Sequence, residues 1–188
     1  MESEIEYHPA EREILPKDLR EFFVRARRAT YAGNAKPVDT PLLPRAKELV
    51  YTTDPTQEPN SPYYYYDSYD DRGERPGNFA GAERITSLLE GGDPVLRCQY
   101  VGGLTNEGLK LGEGTIYGRL QRVLKEHVEK VRFGNKVKVS FADDKGDWVY
   151  EDKGMVEDWG WSGRERIYHK GILVYDIIYG GNCYLRGF

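Results

Sequence analysis

The chain carries one heptapeptide twice. Residues Phe79 to Ile85 and Trp161 to Ile167 correspond position by position, 82 residues apart, in the pattern F/W-x-G-x-E-R-I. Each copy is followed by a strand-like run that closes on Tyr-x-Gly, at Val95 to Gly102 in the first copy and Val174 to Gly181 in the second. Such self-similarity predicts two copies of one structural unit, each burying what the other leaves exposed.

Helical and strand periodicity extends the repeat backwards in both halves. Apolar residues at Leu19, Phe22, Phe23 and Ala26 predict a helix that begins after Pro16, and a similar stripe from Leu120 to Val131 predicts a second helix. Aromatic and alternating segments after each helix predict four strands. The predicted fold class is therefore α+β: a duplicated helix plus four-stranded antiparallel meander, with the helices packed on one sheet or on two. In element order each unit resembles a cystatin-like unit, so two would form a pseudo-dimer.

This organisation also predicts the domain boundaries. Residues 1–15 are charged and lack periodicity, which indicates a flexible N-terminus. Residues 16–188 are predicted to form a single domain made of two pseudo-repeats, 16–103 and 115–181.

Composition narrows the classes of partner. The formal net charge of -4 favours no polyanion, so nucleic acid is disfavoured as a partner. No apolar run is long enough to span a bilayer, and the two cysteines, Cys98 and Cys183, lie outside any CxxC spacing. We therefore expect a cytoplasmic protein with reduced thiols and no membrane partner.

The repeated heptapeptide contains the weak candidates for catalysis, Glu83 and Glu165. Strand alternation places each glutamate on the same face as apolar neighbours, where an unpaired carboxylate is costly. One interpretation is a general acid and base pair that converges between the two halves. The other is that each glutamate accepts hydrogen bonds from a neighbouring Tyr or Arg and fixes the strand register. Glycine two residues earlier fits both, since it lets a large ring from the next strand lie over the backbone.

Aromatic residues on the repeat strands form a candidate ligand site. Small-molecule sites combine aromatic walls with a few polar groups. The residues proposed for such a pocket are Tyr66, Tyr100, Trp148, Trp161 and Tyr179. The alternative is that these side chains belong to the ordinary core of a sheet.

A third interpretation is single-strand nucleic-acid binding through Tyr63–Tyr66 and Arg25–Arg28. Aromatic platforms on sheets stack bases, and the arginines form a compact basic cluster. Four consecutive tyrosines alternate between two faces, however, so at most half of them could serve one surface.

Cofactor and metal signatures are missing from the sequence. The three histidines, His8, His127 and His169, are far apart, and no GxSxG, Walker or dinucleotide motif occurs. No metal and no cofactor is therefore expected. The sequence favours a non-enzymatic domain that binds a small molecule or a protein, with an enzyme that uses Glu83 and Glu165 as the alternative.

Several short motifs together resemble an uncharacterised prokaryotic family. Its pattern is R-A-x-x-A-T-Y-A-G, Y-x-D-S-Y, F-x-G-x-E and a C-terminal G-x-x-V-Y-x-x-x-Y-x-G-G. The corresponding segments are Arg25 to Gly33, Tyr66 to Tyr69, Phe79 to Glu83 and Gly171 to Gly181. The resemblance implies a small stand-alone domain of unknown function, which in some relatives is fused to a helix-turn-helix domain that this chain lacks. It implies no catalytic residues.

Overall fold

The computed structural model describes residues 3–33, 35–39, 46–52, 62–70, 77–87 and 91–184. Within these ranges the chain forms three helices and ten strands. The helices are α1 (Lys17–Ala29), α2 (Asn106–Leu111) and α3 (Glu113–His127). The strands are β1 (Glu4–His8), β2 (Val38–Asp39), β3 (Ala46–Thr52), β4 (Tyr63–Asp70), β5 (Asn78–Ser87), β6 (Pro94–Leu104), β7 (Lys136–Asp143), β8 (Gly146–Glu157), β9 (Gly160–His169) and β10 (Ile172–Cys183).

All ten strands belong to one antiparallel sheet. Their order is β1-β7-β8-β9-β10-β6-β5-β4-β3-β2, so β6 and β10 lie side by side in its middle. Their register runs from Leu96 opposite Cys183 to Leu104 opposite Tyr175. This pairing makes the strands of both halves continuous with one another.

The predicted fold class is wrong. The sequence predicts an α+β fold of two helix-plus-meander units, by analogy a cystatin-like pseudo-dimer. The structure is instead mostly one antiparallel sheet, against which the helices pack. The reason is that β6 and β10 pair along their length, and β1 and β2 add edge strands to the same sheet. Local periodicity carries no information about such distant pairing.

The core lies between one face of the sheet and the helices. Phe22 and Phe23 of α1 pack against Tyr63 and Tyr65 of β4, with ring centroids 5.3 Å and 6.0 Å apart. On the same sheet face, Tyr117 of α3 packs against the ring of Tyr175 in β10. The apolar stripe that predicted α1 is buried throughout, as amphipathicity requires.

Two segments differ from their sequence description. Residues 1–15 were expected to be a flexible terminus, whereas Glu4–His8 form β1, which pairs with β7. The second predicted helix was extended to Val131, but α3 ends at His127. Val131 is nevertheless buried, because the turn after α3 returns to the sheet.

Candidate ligand-binding site

Two acidic pairs are buried on the core face of the sheet. Asp67 in β4 lies opposite Glu83 in β5, and Asp152 in β8 lies opposite Glu165 in β9. The exposed fraction is 3% for Asp67 and 0% for the other three. Carboxylates this deeply buried require a cation, hydrogen bonds or a proton.

Glu83 is neutralised by an arginine from α1. Arg27 donates from Nε to Oε1 at 2.8 Å and from Nη2 to Oε2 at 2.6 Å, and the hydroxyl of Tyr65 donates to Oε1 at 2.9 Å. Burial is the largest single effect on the pKa of Glu83 and would raise it, but attraction to Arg27 and Arg132 and the hydrogen bonds from Arg27 and Tyr65 together outweigh burial, and the pKa lies below its usual value. Glu83 is therefore an ionised, fully partnered carboxylate.

Glu165 is also neutralised by an arginine, but this arginine lies in a turn and not in a helix. Arg132 lies in the turn after α3 with a φ of 59° and donates to the two carboxylate oxygens at 2.8 Å and 2.7 Å. The hydroxyls of Tyr150 and Tyr175 add bonds of 2.7 Å and 3.0 Å. Both glutamates thus hold bidentate arginine partners, the strongest form of such pairs.

Asp67 is reached by a tyrosine that crosses the intervening strand. Tyr100 in β6 lies opposite Gly81 in β5, and its hydroxyl donates to Asp67 Oδ1 at 2.6 Å. A Cβ on Gly81 would lie 2.4 Å from that hydroxyl oxygen. The glycine therefore leaves the space that the ring occupies, as the sequence predicted for its position.

Asp152 also accepts a hydrogen bond from a tyrosine of the next strand but one, and it has one further hydrogen-bond donor. Tyr179 passes over Gly163 and donates to Asp152 Oδ1 at 2.6 Å. In addition, the backbone N–H of Arg132 donates to Oδ2 at 2.6 Å. Both oxygens of Asp152 are thus hydrogen-bonded, whereas Asp67 Oδ2 has no hydrogen-bond partner in the described part of the chain.

Asp67, whose Oδ2 has no described hydrogen-bond partner, lines a cavity of about 500 Å³. The cavity lies between α3, the segment after α1 and strands β4 to β6. Its walls are mainly aromatic and aliphatic, including Tyr69, Phe79, Tyr100, Tyr117 and Leu120, and Arg132 also contributes to them. Asp152 is not among the lining residues.

A second polar group of this cavity also lacks a partner. The hydroxyl of Tyr31 is buried and makes no hydrogen bond to any described residue. Burial raises the pKa of Tyr31 above its usual range, so the phenol stays protonated. Burial, followed by repulsion from Glu83, raises the pKa of Asp67 to about 7 against the opposing hydrogen bond from Tyr100. The cavity thus presents the titratable carboxyl of Asp67 and the neutral hydroxyl of Tyr31.

Of the five predicted aromatic ligand residues, only Tyr100 lines this cavity. Tyr66 is half-buried on the opposite sheet face, where its ring lies 5.3 Å from the guanidinium of Arg84. Tyr179 is committed to Asp152. Tyr66 is separated from this cavity because neighbouring residues of a strand face opposite sides of the sheet. Tyr179 lies opposite Tyr100 in the pairing of β10 with β6, on the same sheet face.

The two predicted tryptophans are core residues. Trp148 is buried, stacks on His169 at 4.2 Å and donates from Nε1 to Asp143 at 2.9 Å. Trp161 is fully buried, and its ring lies against Gly181. Neither residue lines the cavity that holds Asp67.

The acid and base pair considered from sequence does not reach this cavity. Glu83 and Glu165 are completely buried, and each is saturated by its own arginine and tyrosines. A general acid or base must reach the proton that it transfers. The structure assigns both glutamates to buried polar contacts that hold neighbouring strands and their cations in place.

The groups considered for nucleic-acid binding do not share a surface. Tyr63 and Tyr65 are buried under α1, while Tyr64 and Tyr66 face the other side of the sheet. Arg27, at the centre of the arginine cluster, is fully buried against Glu83.

Asp67, Tyr31 and Arg132 were not predicted from the sequence as site residues, and Arg27 was predicted only as part of the Arg25–Arg28 cluster for nucleic acid. Alternation along β4 carried a signal for Asp67, because it shares a face with Tyr63 and Tyr65 and is therefore an inward polar residue. No comparable signal exists for Arg27 or Arg132, whose partners lie 56 and 33 residues away in sequence.

Within the described ranges, no group of three or more His, Cys, Asp or Glu side chains is placed to hold a metal ion. The helices in those ranges include none that is long and apolar enough to cross a membrane. Comparison with protein-family models, curated proteins and solved structures found no match to the chain. The resemblance to the uncharacterised prokaryotic family therefore stays a prediction.

Proposed function

We propose that the chain is a small-molecule-binding domain whose ligand occupies the cavity beside Asp67. The observation that carries the proposal is that the buried hydroxyl of Tyr31 lacks a hydrogen-bond partner among the described residues. Beside it in the lining, Asp67 accepts a hydrogen bond from Tyr100 at Oδ1, and no described residue donates to Oδ2. Buried polar atoms are almost always hydrogen-bonded, and an orphan atom requires an explanation. A ligand that bonds to both groups supplies one.

The second acidic pair provides an internal comparison. Like Asp67, Asp152 lies opposite a glutamate of the neighbouring strand and accepts a hydrogen bond from a tyrosine that crosses that strand. In addition, the backbone N–H of Arg132 donates to the second oxygen of Asp152. The protein itself can therefore supply hydrogen bonds to both oxygens of a buried aspartate in this position. Of these two aspartates, the one that lines the cavity has an oxygen to which no described residue donates.

The size and lining of the cavity support the same function. Its volume of about 500 Å³ falls within the range of about 300 to 1,000 Å³ that is typical of small-molecule sites. Rings of Tyr69, Phe79 and Tyr117 surround the two polar groups, and aromatic walls with few polar groups are the usual composition of such sites. The proposal is one of binding, since Glu83 and Glu165 lie outside the cavity.

A metabolite library screened by thermal shift, with calorimetry on every compound that stabilises the protein, tests the proposal. We expect at least one saturable binder. Leu120→Trp, which fills the cavity, and Tyr31→Phe, which removes only the hydroxyl, should weaken that binder. Asp152→Asn is the matched control and should leave its affinity unchanged.

Two results count against the proposal. One is a complete library without a saturable binder. The other is a binder whose affinity is the same in the unmodified protein, in Leu120→Trp and in Tyr31→Phe, since its site then lies elsewhere.

A further inference from the structure

We infer that the ligand of this cavity is an organic cation whose protonated nitrogen binds the carboxylate of Asp67. The inference rests on the proposed function and adds the chemical class of the ligand. Its first support is the balance of charge in the buried cluster. Four carboxyl groups share two guanidinium groups, and both guanidiniums form bidentate pairs with the glutamates.

The aspartates consequently have no cation of their own among the described residues. Asp152 compensates with two hydrogen bonds, but Asp67 has only the one from Tyr100. A buried carboxylate with so few partners is poorly stabilised, and a cation within about 4 to 6 Å stabilises its charged form. A ligand nitrogen at Oδ2 would supply that cation and the missing hydrogen bond together.

The charged and titratable groups around Asp67 come from every element packed against it. Glu83 lies beside it in β5, Tyr100 approaches from β6, and Arg27 acts from α1. Arg132 also lowers the pKa of Asp67 from the turn after α3, but two of its nitrogens are bonded to Glu165.

Among the described lining residues, the charged residue besides Asp67 and Arg132 is acidic. Glu113, at the start of α3, is exposed and lines the cavity. Asp67 and Glu113 thus face Arg132, whose charge is already balanced by Glu165. This arrangement favours entry of a cation over entry of an anion.

The aromatic walls favour the same class of ligand. A cation is attracted to the face of a ring within about 6 Å of its centroid. The guanidinium of Arg132 already lies 5.5 Å from the ring of Tyr31 and 5.9 Å from the ring of Tyr100. The rings of Phe79 and Tyr117 line the same cavity, so the nonpolar part of a ligand would lie against them.

The test uses a panel of aromatic and alicyclic amines, each matched by the alcohol and the carboxylate on the same carbon skeleton. 3-Phenylpropan-1-amine, 3-phenylpropan-1-ol and 3-phenylpropionate form one such set. Dissociation constants are measured at pH 8 by calorimetry or ligand-observed NMR. We expect the best amine to bind at least tenfold more tightly than its matched alcohol and carboxylate. Asp67→Asn should remove that preference, and Asp152→Asn should preserve it.

The pH dependence gives a second readout. Because the pKa of Asp67 is about 7, its carboxyl is mostly protonated at pH 6 and mostly ionised at pH 8. The affinity for the amine should therefore rise by up to about tenfold between these pH values. The affinity for the alcohol should change by less than about twofold, and Asp67→Asn should abolish the rise for the amine.

The inference is overturned if no amine in the panel binds, if an alcohol or carboxylate binds as tightly as its amine, or if the amine preference survives in Asp67→Asn. These results leave the proposed function standing when the library yields a neutral or anionic binder that Leu120→Trp weakens. If the library yields no binder either, both fail.

Discussion

At the scale of single residues, the site depends on a tyrosine that reaches across a strand. Tyr100 contacts Asp67 only because Gly81, in the strand between them, has no side chain. The repeated heptapeptide predicted a ring over this glycine. It did not predict that the ring continues to an aspartate, since that contact depends on the register of three strands.

Gly81→Ala tests this geometry. The added methyl would lie 2.4 Å from the Tyr100 hydroxyl and 2.7 Å from the carbonyl oxygen of Ser68, so the tyrosine or the strand must move. We expect a loss of about 1 to 3 kcal/mol in the free energy of unfolding in urea. The affinity for any cavity ligand should fall as well.

Gly163→Ala is the matched control. Its methyl would lie 2.3 Å from the Tyr179 hydroxyl, so a similar loss of stability is expected. Because Asp152 does not line the cavity, the affinity of Gly163→Ala for the ligand should stay unchanged. Equal losses of affinity in the two variants would contradict the assignment of Asp67 as the ligand-binding aspartate.

At the scale of elements, α1 is fixed to the sheet by an ion pair as well as by its apolar stripe. The apolar stripe of α1 is visible in the sequence, and it predicted both the helix and the face that is buried. The ion pair between Arg27 and Glu83 could not be predicted from the sequence, because it joins positions 56 residues apart that only the folded sheet brings together. The same limit applies to β6 and β10, whose pairing turns two expected units into one sheet.

Arg27→Met should cost about 3 to 5 kcal/mol of unfolding free energy, because it leaves the carboxylate of Glu83 buried without its cation. Glu83→Leu alone should also be strongly destabilising, since it leaves the guanidinium of Arg27 buried without a carboxylate partner. The double variant should be markedly more stable than the sum of the single losses predicts. A double-mutant cycle in urea measures the coupling, which we expect to exceed about 2 kcal/mol. Additive losses would show that the pair contributes little.

At the scale of the whole molecule, one sheet carries two similar acidic pairs in different surroundings. Strand alternation was sufficient to predict the inward glutamates and the eight strands β3 to β10 in their order along the chain, but neither of the edge strands β1 and β2. It could not predict the cavity, which requires the positions of α3, the segment after α1 and three strands together. The predicted aromatic pocket combined Tyr66, Trp148 and Trp161, which do not line this cavity, with Tyr100 and Tyr179, which are paired across β6 and β10.

The two aspartates should make stability depend on pH. Burial raises the pKa of both Asp67 and Asp152 to about 7 in the folded protein, above the value of about 4 for an exposed aspartate. The folded state therefore binds more protons than the unfolded state between these pH values. The free energy of unfolding contributed by these groups falls as the pH rises towards 7 and stays lower above it.

Comparison with the double variant Asp67→Asn/Asp152→Asn isolates this effect. Urea unfolding at pH 5, 6.5 and 8 should show the unmodified protein losing roughly 2 kcal/mol per aspartate relative to the variant. Burial, aided by Lys130, lowers the pKa of His127 and gives an opposite slope, but this slope is common to both proteins and cancels. Parallel pH profiles would contradict the raised pKa values.

The most direct test of the central claim is NMR of the aspartate carboxyl carbons and of the Tyr31 ring, recorded with and without the best binder from the library. If the ligand occupies the cavity, the signals of Asp67 and Tyr31 shift with the binding isotherm while the signal of Asp152 stays in place. If Asp67 and Tyr31 do not respond and the shifts map to another surface, the cavity beside Asp67 is not the binding site.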